Sequence, residues 1–466
     1  MKTSLAGILI PALLAVSGLG LLVAWANTGP SVLVKPRLPG LDDAPRAASA
    51  GVALRTAPGE PVRFQGQPSR ITAAWPWFRG PRGDAIGKEP VRLARSWPPG
   101  GPKRLWSIAL GEGYAAAAVR DGCVYVLDHL QDADAMRCFS LDDGREIWRN
   151  SYPAVVPFSH GASRTIPSIT GDCVLSLGPL CHVVCWEAAT GKARWLIDLV
   201  ADYGATVPPW YAGQCPLVDT QTDRLILAPA GKALVMAVDY RTGRVVWESP
   251  NPRGWTMTHV SIVPMEFAGR RMYVYCGKGG VAGVAADDGE LLWDTTDWQI
   301  GVATCPSPLV VGKGRIFFCG GYNAGSLLIE LREEGGRIIP HTLFRLSAKE
   351  FGSEQQTPIL WNGCLYGVRQ RDQKLVCLDL SGKERWNSGG DKFGGAPYLI
   401  ADGLIYAMND GGVLRMAEAT PEGYHRLAEA PLIEQGVDSW GPLALVAGRL
   451  IARDFTRMVC VDLAEH

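Results

Sequence analysis

Twelve cysteines and seven histidines are the side chains of this 466-residue chain most suited to chemistry. His160 and His259 could exchange protons near neutral pH, but neither has a sequence-local partner that would complete a dyad or triad. Cys181-x-x-x-Cys185 with His182 between them has the makings of a zinc site. Strand alternation, however, sends His182 to the face opposite both cysteines. Three further spacings pair cysteines on segments that read as adjacent strands: Cys123 with Cys138, Cys173 with Cys185, and Cys364 with Cys377. Each pair could meet face to face and close a disulfide. A second reading needs no bond at all. Cys138 and Cys185 stand six residues before a turn glycine, where other segments carry Ala237 and Gly283, and Cys377 holds the same place with one residue deleted. A small buried side chain is wanted there, and cysteine is one. The sequence holds no HExxH motif and no phosphate-binding glycine loop, so no catalytic or metal-binding residue is assigned.

What must position these residues is a repeat. LDDGREIW (141–148), AATGKARW (188–195), DYRTGRVVW (239–247), AADDGELLW (285–293) and DLSGKERW (379–386) each place a tryptophan four residues after a glycine. The pairs are Gly144 with Trp148, Gly191 with Trp195, Gly243 with Trp247, Gly289 with Trp293, and Gly382 with Trp386. Upstream of each lies an alternating apolar run bounded by Gly and Asp, such as DGCVYVLD (121–128) or GRRMYVYCG (269–277), which is strand-and-turn chemistry. Before that comes a Pro-flanked or small-residue strand such as TIPSIT or QCPLVD. Four strands per unit, recurring every 40–50 residues or so, is the sequence form of a propeller blade.

Second strands count to eight, so the expected fold is all-β: an eight-bladed propeller of four-stranded antiparallel blades. The units at EEGGRIIP (333–340) and TPEGYHRL (420–427) keep a turn glycine but lose the tryptophan. The last unit stops at VCVDLAEH before any outer strand, while PKRLWSIAL (102–110), with Trp106, has no partners before it. This early strand is expected to complete the last blade and close the ring, which removes free sheet edges. Trp106, Trp148, Trp195, Trp247, Trp293 and Trp386 are read as residues that dock one blade on the next.

The remaining chain organises around that ring. Residues 1–26 carry one Lys, a long apolar run and Ala24-Trp25-Ala26, the pattern of a signal peptide or an uncleaved membrane anchor. Either places the rest of the chain outside the cytoplasm, in a periplasm or cell envelope, with membrane contact only through this segment. Residues 27–72, rich in Pro and Ala, read as a flexible linker, 73–101 as a lead-in, and 102–463 as the propeller. Forty-six basic residues against 46 acidic ones leave no field to attract nucleic acid.

ALVMAVDYRTGRVVW (233–247) and VCWEAATGKARW (184–195) resemble the docking motif of the pyrroloquinoline-quinone-like (PQQ-like) β-propeller repeat family, approximately A-x-D-x-x-T-G-K-x-x-W. The lead-in AWPWFRGPRGDAIGKEP (74–90) looks like the segment before the propeller in exported bacterial members, which include the propeller of the outer-membrane assembly machinery. The resemblance implies one of two functions. One branch holds quinoprotein dehydrogenases with PQQ and calcium in the central funnel, under an adjacent Cys-Cys pair; the other holds non-enzymatic scaffolds. No Cys-Cys pair occurs in this sequence, and no family calcium ligand can be carried onto it. The expectation is a monomeric, non-enzymatic binding propeller without cofactor or metal, whose partner is an envelope protein or peptide. A PQQ-dependent or other periplasmic oxidoreductase is the alternative, and a carbohydrate- or peptide-binding ectodomain a third reading.

Connections from each outer strand to the next inner strand should gather at one mouth of the ring. They carry His160, Arg164, Trp210, Tyr211, Trp255, His259, Trp298, Glu354, Gln356 and Trp440, the candidate contact residues.

Overall fold

Alternating apolar residues cannot bury both faces of a single four-stranded sheet alone, so the blades stack around an axis and bury them against one another. The computed structural model describes residues 15–23, 56–156 and 160–465. The chain divides into two units, Met1–Ser49 and Ala50–His466. In the first, residues 15–23 are helical, and the rest of the expected signal or anchor lies outside the described residues. Among the described residues no helix is long and apolar enough to cross a membrane.

The second unit is an eight-bladed β-propeller, every blade a meander of four antiparallel strands. Blade 1 runs Ala118–Arg120, Cys123–Leu130, Ala133–Ser140 and Glu146–Pro153 from the axis outward. The outer strands of blades 2 to 7 are Ala193–Asp198, Val245–Pro250, Leu291–Thr295, Arg337–Leu346, Glu384–Asn387 and Arg426–Pro431. Blade 8 takes Gly441–Val446, Arg449–Arg453 and Arg457–Asp462 from the end of the chain. Its outer strand is Lys103–Ala109, paired antiparallel with Arg457–Asp462, so the ring closes as the sequence leads one to expect.

Each docking tryptophan stands across the sheet from a small residue: Trp148 from Cys138, Trp195 from Cys185, Trp247 from Ala237, Trp293 from Gly283, Trp386 from Cys377 and Trp106 from Cys460. The small partner lets the indole lie over its own sheet and reach the next blade. There Nε1 of Trp148, Trp195, Trp247, Trp386 and Trp106 donates to the carbonyls of Ala188, Tyr240, Ala286, Thr420 and Leu141, at 2.8–3.2 Å. The turn glycine that receives it does two jobs. Its φ is positive, +75° at Gly191, and a Cβ there would come within 2.4 Å of the Trp148 ring. Gly243 faces Trp195 and Gly289 faces Trp247 in the same way. The two blades without tryptophan rebalance the pair. Blade 5 sets Phe344 opposite Leu328, and blade 7 sets Ala428 opposite Met416.

The cysteines follow the same rule. Expected face-to-face pairs are instead diagonal: Cys123 registers with Ser140 while Tyr125 faces Cys138, Leu175 faces Cys185, and Tyr366 faces Cys377. All twelve are free thiols, in keeping with the reading that needs no bond, although the thiols of each pair interact across the strands.

The expected flexible linker also ends earlier than residue 72. Val62–Arg63 adds a fifth strand to the outer edge of blade 1, registered with Arg149 and Trp148. The lead-in then crosses the ring. Trp75 bridges to Val119, the buried Arg79 donates to the carbonyls of Thr357 and Pro358 at 2.6 and 2.9 Å, and Ile86–Gly87 pairs parallel with Ile400–Ala401. These bonds tie blades 1, 6 and 7 together through one segment.

Trp148→Ala should lower stability by about 3–5 kcal/mol in chemical denaturation, since Trp148 is fully buried at the seam. Deleting Lys103–Ala109 should expose the edge of blade 8 and lower the thermal midpoint. Midpoints unchanged by that deletion would contradict ring closure by this strand.

Candidate functional site

The connections between blades are rich in aromatics, and parts of this face hold backbone that L-residues rarely adopt. Pro208-Pro209 feed Trp210 and Tyr211, at φ +58° and +73°, and the turn between the second and third strands of blade 5 holds Tyr322 and Asn323 at φ +55° and +64°. Each such residue costs on the order of 1–3 kcal/mol, which the surrounding structure must offset. Two rings raised on this backbone, Trp210 and Tyr322, lie parallel, with centroids 6.5 Å apart and planes 5° from parallel.

From that pair a belt of rings continues round the mouth. His160 lies 6.4 Å from Trp210 and 6.4 Å from Tyr114. Tyr114 stacks on Trp440 at 5.1 Å and leans on Phe455 at 5.5 Å. Arg164 is threaded beneath, its guanidinium carbon 4.9 Å from the centre of the Tyr114 ring. Backbone carbonyls of Trp210 and His160 accept from its Nε and Nη2. Burial lowers its pKa, against the opposing pull of Tyr114, Cys305, Tyr211 and Tyr322.

His259 packs beside this cation, and its Nε2 lies 2.7 Å from the Pro209 carbonyl. Its Nδ1 is enclosed without a hydrogen-bond partner among the described residues. Burial first, and the Arg164 charge second, push the imidazole down to about 4, so the ring is neutral at pH 7. Across the mouth the carboxylates accept from the protein's own donors. Asp410 accepts from Trp440 Nε1 at 2.7 Å and from the Gly395 amide at 2.9 Å, and burial raises its pKa. Glu354 accepts from the Gln370 amide at 2.9 Å. Gln356 spans the carbonyls of Gly395 and Trp440 at 3.3 Å each, bracing the connection into blade 8.

The structure thus brings His160, Arg164, Trp210, Tyr211, His259, Glu354, Gln356 and Trp440 to the mouth, with two exceptions among the sequence candidates. Trp255 is 6 % exposed and wedged against Gly277, Gly279 and Gly280 of its own blade. Trp298 is 3 % exposed and stacked on Phe318 at 6.1 Å. Both are core residues, a correction that follows from the room those glycines leave. Sequence reasoning missed Tyr114, Cys305, Tyr322, Gln370 and Phe455. Tyr322 and Phe455 sit in turns between second and third strands, which reach the same face as the inter-blade connections. The GGYNAG turn was the available signal.

A quinone held by calcium needs several convergent carboxylate or carbonyl oxygens. Among the described residues no three His, Cys, Asp or Glu side chains come together to hold a metal ion. The mouth carboxylates Asp410 and Glu354 accept from the protein's own donors, and no step is derived through a calcium-bound quinone. The Cys181–Cys185 pair does not converge on His182 either. Cys181 Sγ lies 3.7 Å from Met257 Sδ, Cys185 faces Trp195, and the His182 ring packs edge-on to Tyr152.

Residues 131–388 match the PQQ_2 family model, described as outer membrane protein assembly factor BamB. No curated protein matches the chain. Among solved structures it is similar to BamB from Moraxella catarrhalis, at 15 % identity and a TM-score of 0.52, over 77 % of this chain and 99 % of that one. It is also similar to the computationally designed Ika8 protein, at 11 % identity and a TM-score of 0.51, over 77 % and 99 %. These two likenesses show the propeller fold. A europium-containing methanol dehydrogenase aligns at 12 % identity and a TM-score of 0.42, over 84 % and 89 %.

The His259 folded-state pKa lies below the unfolded value of about 6.5, so the unfolded chain binds more protons between the two. Its contribution to stability is therefore complete above pH 6.5 and is lost as pH falls toward 4. Thermal midpoints measured across that window should fall less steeply for His259→Gln than for the native protein.

Proposed function

The chain belongs to the PQQ-like propeller family whose model is described as outer membrane protein assembly factor BamB, and from that membership and the mouth we propose an exported, non-enzymatic binding scaffold of the bacterial cell envelope. The observation that carries this reading is the surface of the mouth. Strained backbone holds Trp210 and Tyr322 up as a stacked pair, and the same rim exposes Val155, Val302 and Val437 at 66 %, 48 % and 57 %. Exposed apolar groups beside fixed aromatic rings suit a protein or peptide partner, because a few buried aromatics dominate interface energy. Arg164, capped by carbonyls on Nε and Nη2, adds a cation at the base of the same surface. A periplasmic oxidoreductase, quinone-dependent or otherwise, is the second reading; the methanol dehydrogenase alignment lies below the similarity that would favour it.

Affinity capture from bacterial envelope extract should return one abundant partner. Replacing Trp210 and Tyr322 together by Ala should reduce that capture at least tenfold without changing the thermal midpoint. Dye reduction at an enzymatic rate, by protein given calcium, pyrroloquinoline quinone and a panel of alcohols and aldose sugars, would overturn the scaffold reading in favour of the oxidoreductase.

A further inference from the structure

The lead-in that crosses the ring does not meet every blade alike. Trp75 bridges to Val119 of blade 1, the Ile169 amide of blade 2 donates to the Pro76 carbonyl at 2.8 Å, and Ile86–Gly87 lies along Ile400–Ala401 of blade 7. Between these anchorages, residues from Trp77 to Asp84 face the starts of the inner strands of blades 3, 4 and 5, which are Leu217–Asp219, Val263–Phe267 and Leu309–Gly312. The two sides enclose a cavity of about 180 Å³. Leu217, Ile262, Val263, Pro308, Leu309 and Trp77 make most of its wall apolar.

Two polar groups in the lining lack the partner their chemistry asks for. The first is a hydroxyl. At the starts of the inner strands, a small side chain accepts from the amide of the blade before: Cys215 Sγ from Ile166 at 3.3 Å, Ser261 Oγ from Cys215 at 3.0 Å, and Thr357 Oγ1 from Ser307 at 2.8 Å. Ser307 holds the same place in blade 5 and is 4 % exposed, yet its Oγ has no hydrogen-bond partner among the described residues. A buried hydroxyl left in that state costs free energy. The second is a cation. The buried Arg79 donates to the neutral carbonyls of Gly83, Asp84, Thr357 and Pro358, while the Asp84 carboxylate is held by Arg82 at 2.9 Å. Burial lowers the Arg79 pKa, a direction that an anion seated beside it would oppose. Thr357 brings the two groups to one end of the cavity, since its carbonyl accepts from Arg79 Nη1 at 2.6 Å and its Oγ1 from the Ser307 amide.

We propose that this cavity is a binding site for a small aromatic carboxylate. Its ring lies among the apolar residues, and its carboxylate accepts from the Ser307 hydroxyl and compensates the charge of Arg79. An apolar cavity of about 150 Å³ holds benzene, so the volume here admits a single ring carrying one carboxyl group. Water alone would satisfy the hydroxyl but leave the cation without a counter-charge and the apolar walls without a partner.

Titration calorimetry of the full-length protein with benzoate should show saturable binding of one molecule per chain. Benzamide, which keeps the ring and loses the charge, should bind at least tenfold more weakly. Acetate, which keeps the charge and loses the ring, should not displace benzoate. Ser307→Ala should weaken benzoate binding about tenfold, the worth of a hydrogen bond to a charged group. Its thermal midpoint without benzoate should be no lower than that of the native protein, because the hydroxyl has no partner to lose. Photolysis with 4-azidobenzoate should label fragments containing Trp77–Asp84 or Ser307–Val310. Absence of benzoate binding, benzamide binding as tightly, affinity indifferent to Ser307→Ala, or labelling elsewhere would overturn the proposal. None of these outcomes bears on the mouth, so the two readings stand or fall separately.

Discussion

Everything in this ring rests on one contact: an indole laid over a small residue of its own sheet and fitted against a glycine of the next. Cys138, Trp148 and Gly191 form one such triplet, and Cys185, Trp195 and Gly243 the next. The large group can bridge two blades because its own sheet gives it room and its neighbour has no Cβ in the way. Close packing makes the three positions interdependent, so a change at any one is felt by two blades. Blades 5 and 7 show that the constraint is on summed volume, since Leu328 with Phe344 and Met416 with Ala428 fill the same pair of positions. Cysteine, a small hydrophobe, recurs for this reason opposite Trp106, Trp148, Trp195 and Trp386.

That contact explains what could be read from the sequence. A glycine followed four residues later by tryptophan is a local signal, and counting the second strands that precede it gives the number of blades and the missing last strand. The residues that build the mouth are local to nothing. Tyr114 and Asp438 come together across 324 residues because ring closure makes blade 1 a neighbour of blade 8. Arg79 carries no periodicity at all, yet its guanidinium finds carbonyls 278 and 279 residues away. Trp255 and Trp298 misled for a related reason. A tryptophan on a connection looks available until the glycines under it, Gly277 to Gly280 for Trp255, reveal a bed cut to its shape.

The mouth holds its surface by its backbone. At the mouth, unfavourable backbone at Trp210, Tyr211, Tyr322 and Asn323 is fixed by the rigid blades around it, so the rings are oriented before any partner arrives. Preorganisation of this kind reduces the entropy lost on binding.

The joining of Lys103–Ala109 to Arg457–Asp462 also fixes an order of events in time. A chain made from its amino terminus presents Lys103–Ala109 and the Trp75–Gly87 lead-in long before their partners in blades 6, 7 and 8 exist. That strand waits through the synthesis of nearly the whole ring unpaired, with Trp106, its one buried residue, uncovered. The long-range closure is the slow kind of contact, and an open ring is the state most exposed to misassembly. The ring therefore gains its closing bonds only when the last strand is delivered.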